Sequence, residues 1–130
     1  MGQSRRFEES GLELSRPYPQ WLYGAAGLNL TALDLAKFDA ALLRGTLLSK
    51  ASLEQMWTPC QLTNGQSGRF TAAWMTRLWN GHQLVFHLGG DMVIYAHVLD
   101  EGISVIWLTN LDPSNPYDVV FGILQRLRHP

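Results

Sequence analysis

The chain has 130 residues, of which 46% are apolar and 16% are charged, and its formal net charge is -1. This composition predicts one globular domain with a hydrophobic core and excludes a disordered chain. The nearly balanced charge gives no support for binding to nucleic acid or to an anionic membrane surface, and no apolar run of about 18 residues predicts a transmembrane helix.

The N-terminal residues 1–20 are polar, carry two prolines, and predict an extended lead-in to a domain over 21–130. They contain no apolar stretch typical of a signal peptide, so the sequence leaves the localisation unknown. An apolar anchor is predicted at Trp21-Leu22-Tyr23. A single cysteine, Cys60, excludes an internal disulfide bond and is interpreted as a spectator thiol.

Two helices are predicted in the first half of the domain. Thr31 is a suitable N-cap residue with Asp34 three positions later, and Gly45 is a suitable left-handed stop. A second, shorter helix is predicted to begin near Ser49 and to end before Pro59.

The pattern then changes to the alternation typical of strands. Four strands are predicted, over 70–78, 82–88, 92–99 and 103–110, with a hairpin turn at Asn80-Gly81 between the first two. A last helix is predicted with Pro116 at its first position and with one apolar stripe formed by Val119, Val120, Ile123, Leu124 and Leu127. The predicted fold class is α+β, with an antiparallel sheet of about four strands flanked by helices.

The stretch His87-Leu88-Gly89-Gly90 is the strongest functional candidate from the residues alone. It places a histidine, which titrates near neutrality, at a strand end followed by two glycines. Because paired glycines let a backbone approach a ligand closely, the stretch predicts one wall of an active site.

The order of elements and several short motifs resemble the serine β-lactamase-like hydrolases, which include class C β-lactamases, penicillin-binding proteins, D-aminopeptidases and related esterases. The matching stretches are Gly24-Ala25-Ala26-Gly27-Leu28, Thr31 with Asp34-Leu35-Ala36 and Phe38, Leu47-Leu48-Ser49, Ser52-Leu53, Met56-Trp57-Thr58-Pro59, Trp74, His87-Leu88-Gly89 and Leu108-Thr109-Asn110. The resemblance runs from about Pro19 to Leu127 and implies a partial β-lactamase-like α/β domain.

In this family His87-Leu88-Gly89 corresponds to the third active-site box, K-T-G or H-x-G. The resemblance implies that His87, Gly89 and Gly90 are catalytic, with the backbone N–H of Gly90 in the oxyanion hole. It implies that Leu88 and Asp91 contact the substrate. The family often has a glycine and an aromatic residue shortly after the box, whereas bulky Val93 and Ile94 are expected to narrow the cleft in this chain.

The family's nucleophile, the serine of S-x-x-K, and its second box, Y-x-N, have no counterpart in this chain. No serine has a lysine three residues later, and no tyrosine has an asparagine two residues later. The resemblance therefore predicts the C-terminal segment of a serine hydrolase that transfers an acyl group to serine and hydrolyses an amide, lactam or ester. The segment is expected to be inactive alone and to need no cofactor.

Its expected partners are a small acyl substrate, bound only when the N-terminal half is supplied, and a second copy or partner chain that covers an exposed sheet edge. Neither nucleic acid nor membrane is an expected partner. The alternatives are a non-catalytic binding or interaction module and a truncated reading frame.

Two other sites have little support in the sequence. A zinc site from His82, His87 and His97 lacks a clustered ligand motif. A Ser104-His87-Asp91 triad would place the nucleophile within a strand and without a nucleophile elbow.

Overall fold

The computed structural model describes residues 5–8, 11–14, 20–22, 24–89, 93–109 and 115–128. Its elements, in chain order, are β1 (Arg5–Glu8), β2 (Gly11–Leu14), a short 3-10 helix (Gln20–Leu22), α1 (Ala32–Leu43), α2 (Lys50–Trp57), β3 (Met75–Trp79), β4 (His82–Gly89), β5 (Val93–Val98), β6 (Ile103–Leu108) and α3 (Pro116–Arg128). These elements confirm the predicted α+β class. Strands β1 and β2 pair as a small antiparallel sheet, which the prediction of an extended lead-in did not foresee.

The main sheet has four antiparallel strands in the order β3-β4-β5-β6. The hairpin turn between β3 and β4 is confirmed, because Asn80 and Gly81 both have positive φ, at 49° and 85°. The first strand begins later than the predicted residue 70. Thr71 and Trp74 close a turn, in which the Trp74 N–H donates to Thr71 Oγ1 over 3.1 Å, and only an isolated bridge joins Phe70 to Met75.

The sheet has a helical layer on each face. Helix α3 packs on one face, where the core consists of Trp79, Leu84, Phe86, Ile94, Ala96, Val98, Val105, Val120 and Leu124. Helices α1 and α2 pack on the other face, around Leu42, Leu53, Trp57, Trp74, Val85 and Tyr95. Because successive side chains of a strand point to opposite faces, the central strand β5 contributes to both cores.

The helix boundaries follow the predicted caps. Thr31 Oγ1 accepts the backbone N–H of Asp34 over 3.1 Å and donates to that residue's carboxylate over 2.7 Å. Ser49 caps α2 through the N–H of Ser52. Gly45, with φ of 73°, follows the end of α1 in the left-handed conformation.

Two predictions about buried apolar residues were wrong. Trp21, predicted as an anchor, is 80% exposed. In α3 the predicted stripe is too wide, since Val120 and Leu124 are buried whereas Ile123 and Leu127 are exposed. Within the described residues, no helix has the length and apolarity needed to cross a membrane.

Candidate functional site

The box segment His87–Gly89 lies on a part of β4 that extends beyond β3. Pairing between β3 and β4 ends at Met75↔Phe86, whereas pairing between β4 and β5 continues through Gly89↔Val93. Among the residues that the structure describes, no strand pairs with the other side of this segment. Its backbone N–H and C=O groups on that side form an open edge that an extended ligand can pair with.

The residues of the box segment point to different faces. The side chain of His87 is exposed and lies opposite Tyr95 on β5, on the face covered by α1 and α2. The side chain of Leu88 points the other way and packs against the α3 core, so only its backbone belongs to the open edge. Gly90 and Asp91, the other two predicted site residues, lie outside the described residues.

Val93 fills the space beside Gly89. A Cβ atom built on Gly89 would lie 2.3 Å from Val93 Cγ2, which is far inside van der Waals contact. Val93 therefore contributes bulk next to the box, and its expected narrowing of the cleft stays a prediction. The same expectation for Ile94 is wrong, because this side chain is 1% exposed and belongs to the α3 core on the opposite face.

A buried polar cluster lies on the same face of the sheet as His87. It joins Asp39 of α1 to Tyr95 and His97 of β5 and to Ser104 of β6. The Tyr95 hydroxyl donates to Asp39 Oδ1 over 2.6 Å, and Ser104 Oγ lies 2.9 Å from His97 Nδ1. His97 Nε2 is 3.3 Å from Asp39 Oδ1, within ion-pair distance, but the two atoms do not form an aligned hydrogen bond.

Aromatic rings enclose the imidazole of His97. The ring centroids of Trp57, Trp74 and Tyr95 lie 5.1, 5.3 and 4.7 Å from that of His97. Burial lowers the pKa of His97, and the negative charge of Asp39 opposes that shift. Burial also raises the pKa of the Tyr95 hydroxyl, reinforced by its hydrogen bond to the Asp39 carboxylate.

The serine, histidine and aspartate of this cluster are connected in the order of a catalytic triad, but they are not arranged for catalysis. His97 is only 2% exposed, so an acyl group cannot reach its ring in this conformation. Ser104 contacts His97 and not His87, which agrees with the little support that the sequence gives to a Ser104-His87-Asp91 triad. The cluster joins a helix to two strands and has the contacts of a structural junction.

Asp39 was missed by the sequence analysis although a signal was present. It lies four residues after Leu35 and three before Leu42, which is the spacing of the buried face of α1. A carboxylate at such a position requires a buried partner, because an unpaired buried charge is costly. The partner itself was not evident, since Tyr95 is distant in sequence.

The remaining described histidine lies at the far end of β4. His82 Nδ1 is 2.5 Å from Asp100 Oδ2 and 3.5 Å from Glu101 Oε1. In the described part of the chain, no three His, Cys, Asp or Glu side chains are grouped so that they could hold a metal ion. His82, His87 and His97 therefore do not form the zinc site that was considered.

Comparisons with known proteins agree with the resemblance seen in the motifs. The family model "Beta-lactamase" matches residues 4–127, which begins earlier than the resemblance from Pro19. Penicillin-binding protein 4* of Bacillus subtilis (strain 168) is 28% identical over 107 residues, covering 78% of this chain and 23% of that protein. The putative penicillin-binding protein PbpX of the same organism is 50% identical over 38 residues, covering 29% of this chain and 10% of that protein.

The chain thus spans less than a quarter of the length of either relative. No solved structure matches it significantly. The family model nevertheless covers most of the chain, including both helical layers and all four strands of the main sheet. The chain belongs to the beta-lactamase family, the serine β-lactamase-like hydrolases.

Proposed function

We propose that this chain forms the sheet wall of an acyl-transfer site in a serine hydrolase, and that it needs a second segment to supply the nucleophile. The observation that carries the proposal is the open edge of β4. His87–Gly89 are held by β5 on one side, and β3 ends before it reaches them on the other. Such an edge is suited to pairing with the backbone of an extended amide substrate.

The roles proposed for the box residues combine the open edge at His87–Gly89 with what the family resemblance implies for His87 and Gly90. The backbone of His87–Gly89 orients the substrate, and the exposed imidazole of His87 contacts it or shares in proton transfer. Gly90 donates its N–H to the developing oxyanion, a contact worth about 3 kcal/mol of transition-state stabilisation in comparable sites. A serine on the second segment attacks the acyl carbonyl, the C–N or C–O bond of the substrate breaks, and the leaving nitrogen or oxygen takes up a proton; water then hydrolyses the ester of the acyl-enzyme and releases the acid and the free serine.

The second segment also has a structural role in this proposal. Strand β6 has β5 on one side, and in the described ranges no strand pairs with its other side. An open strand edge favours pairing with another chain or segment. The partner is therefore either the nucleophile-bearing segment or a second copy of this chain that covers the edge.

The first test is covalent labelling of the purified chain with a fluorescent penicillin and a fluorophosphonate probe. We expect no labelled serine, because the chain contains no S-x-x-K box. A serine acylated in stoichiometric yield, mapped by peptide mass analysis, would contradict the proposal.

The second test concerns the gene upstream of Met1. An in-frame extension that encodes S-x-x-K followed by Y-x-N supports the proposal, and the longer protein should then be labelled by the same probes. In that protein we expect His87→Ala to reduce the acylation rate and His82→Ala, at the far end of the same strand, to leave it nearly unchanged. Equal effects of the two substitutions would argue against a role for the box.

A further inference from the structure

The buried cluster of Asp39, Tyr95, His97 and Ser104 has no part in the proposed acyl transfer. It nevertheless contains a histidine, the side chain most readily titrated near neutral pH. His97 is 2% exposed, and Asp39 is 8% exposed. A histidine at this depth makes the stability of its surroundings depend on pH.

The contacts define the tautomer of the neutral His97 imidazole, that is, which ring nitrogen carries the hydrogen. If Nδ1 carried the hydrogen, the lone pair of Nε2 would face the Asp39 carboxylate at 3.3 Å, which is repulsive. We therefore assign the hydrogen to Nε2, so that Nδ1 accepts the hydroxyl hydrogen of Ser104 over 2.9 Å. A proton taken up from solvent binds at Nδ1, and the Ser104 hydroxyl must then turn to accept it.

We propose that this cluster is a pH-sensitive latch, in which uptake of a proton by His97 loosens helix α1 from the sheet. The imidazolium is poorly accommodated where it is, because the ring is shielded from water and Asp39, its one carboxylate neighbour among the described residues, is not aligned for a hydrogen bond. Opening of α1, which carries Asp39, exposes the ring to water. Hydration of the charge therefore favours the open form.

The groups that face His97 from each neighbouring element determine the charge around its ring. Helix α1 contributes Asp39, strand β5 contributes Tyr95, and β6 contributes the uncharged Ser104. From α2 and the segment before β3 the neighbours are the uncharged rings of Trp57 and Trp74. Val85 of β4 lies directly opposite His97.

The direction of the effect follows from the lowered pKa of His97, since burial outweighs the attraction of Asp39. The latch is closed above the unfolded-state pKa of 6.5, where the imidazole is neutral in both states. As the pH falls below this value, the open or unfolded form takes up the proton first, and the closed form is progressively disfavoured. The contribution of His97 to the attachment of α1 is fully lost once the pH lies below the lower pKa of the closed form.

The latch adjoins the box. Tyr95, which holds Asp39, lies opposite His87 in the β4·β5 pair. Release of Asp39 removes the hydrogen bond that restrains the Tyr95 side chain beside the box. Acidification is therefore expected to affect the open edge as well as α1.

The test combines an NMR titration of the His97 ring with hydrogen exchange of the α1 amides from about pH 7.5 to about pH 5, after correction for the intrinsic exchange rate at each pH. We expect His97 to titrate below 6.5 and the opening equilibrium of α1 to rise over the same range. The total rise is about tenfold for each unit by which the closed-form pKa lies below the unfolded value.

Three variants make the test specific. His97→Asn should remove the pH dependence of α1 opening, and Asp39→Asn should lower the pKa of His97 further because it removes the opposing charge. His82→Asn is the matched control, since it removes a histidine that pairs with Asp100 at the sheet's far end, and the response of α1 should persist. If His97→Asn does not fold, Asp39→Asn replaces it as the test. A lower pKa of His97 in that variant supports the proposal, and a higher one contradicts it. Titration of His97 at or above 6.5, or α1 protection that does not change on acidification, would overturn the proposal.

Discussion

Tyr95 donates its hydroxyl hydrogen to Asp39 over 2.6 Å, and this bond joins residues 56 positions apart in the chain. It ties the middle of helix α1 to the central strand of the sheet, beside the strand that carries the box. Both side chains are buried, so each provides the hydrogen-bond partner that the other requires in the interior. Loss of either partner leaves a polar group without a hydrogen bond in the interior.

Replacement Tyr95→Phe is expected to destabilise the fold by about 1.5–3 kcal/mol, the range for hydrogen bonds to charged groups. The Asp39 carboxylate would keep only its unaligned contact with His97. Urea unfolding at about pH 7.5 measures the change. The control is Tyr117→Phe in α3, which removes a hydroxyl from a ring stacked on Phe121. A Tyr95→Phe loss no larger than that of the control would show that the bond contributes little.

The same bond predicts a dependence on alkaline pH. Burial and the Asp39 carboxylate raise the pKa of Tyr95 above its ordinary value of 10.0. The resulting stabilisation is fully present below 10.0 and declines as the pH rises from there towards the folded-state pKa, because the unfolded chain loses its proton first.

Tyrosinate absorbance provides the measurement. The folded wild-type chain should contain one phenol that ionises above the ordinary value of 10.0, and that component should be missing from Tyr95→Phe. The free energy of unfolding should fall more steeply above pH 10 in the wild type than in this variant. Identical alkaline titrations of the two folded proteins would contradict the assigned environment.

The sequence was most informative where a local rule determines the backbone. Asn80-Gly81 defined the hairpin, because two adjacent residues with positive φ are needed for that turn. Thr31 and Ser49 defined the starts of two helices, because their hydroxyl groups accept the free N–H groups of the first turn.

It was least informative where long-range packing decides. Periodicity placed Ile123 and Leu127 on an apolar stripe, but both side chains are exposed because no described element packs over them closely enough to bury them. Asp39 occupies a helix position with core spacing, yet its partner Tyr95 is determined by how α1 packs on the sheet. The position of His87 on a strand was predictable, whereas the open edge beside it depends on where β3 stops.

The packing of α3 predicts a contrast between two leucines of that helix. Leu124 is 1% exposed, in the core with Val120 and the sheet, whereas Leu127 is 59% exposed. We expect Leu124→Ala to cost about 2–5 kcal/mol, because it removes buried methyl groups and leaves a cavity. Leu127→Ala should cost less than about 0.5 kcal/mol. Thermal or urea unfolding of both variants measures the difference, and similar losses would mean that the helix is packed in a different register.

The contact between Gly89 and Val93 predicts a coupled effect at the box. A methyl group on Gly89 would lie 2.3 Å from Val93 Cγ2, so Gly89→Ala must displace the valine or separate the two strands. We expect a loss of about 1–3 kcal/mol, the usual cost of overpacking. Val93→Ala removes the atom in conflict, so the double variant should be more stable than the sum of the two single losses implies.

A double-mutant cycle measured by urea unfolding tests this coupling, with Gly24→Ala as the control. A Cβ on Gly24 has no heavy atom within 4 Å apart from its own and adjacent residues, so that substitution adds no steric conflict. A coupling energy above about 0.5 kcal/mol between positions 89 and 93 is expected, because residues in direct contact are not additive. Additive losses would mean that the end of β4 adjusts freely, and the box would then lack the rigid backbone that oriented binding of an acyl group requires.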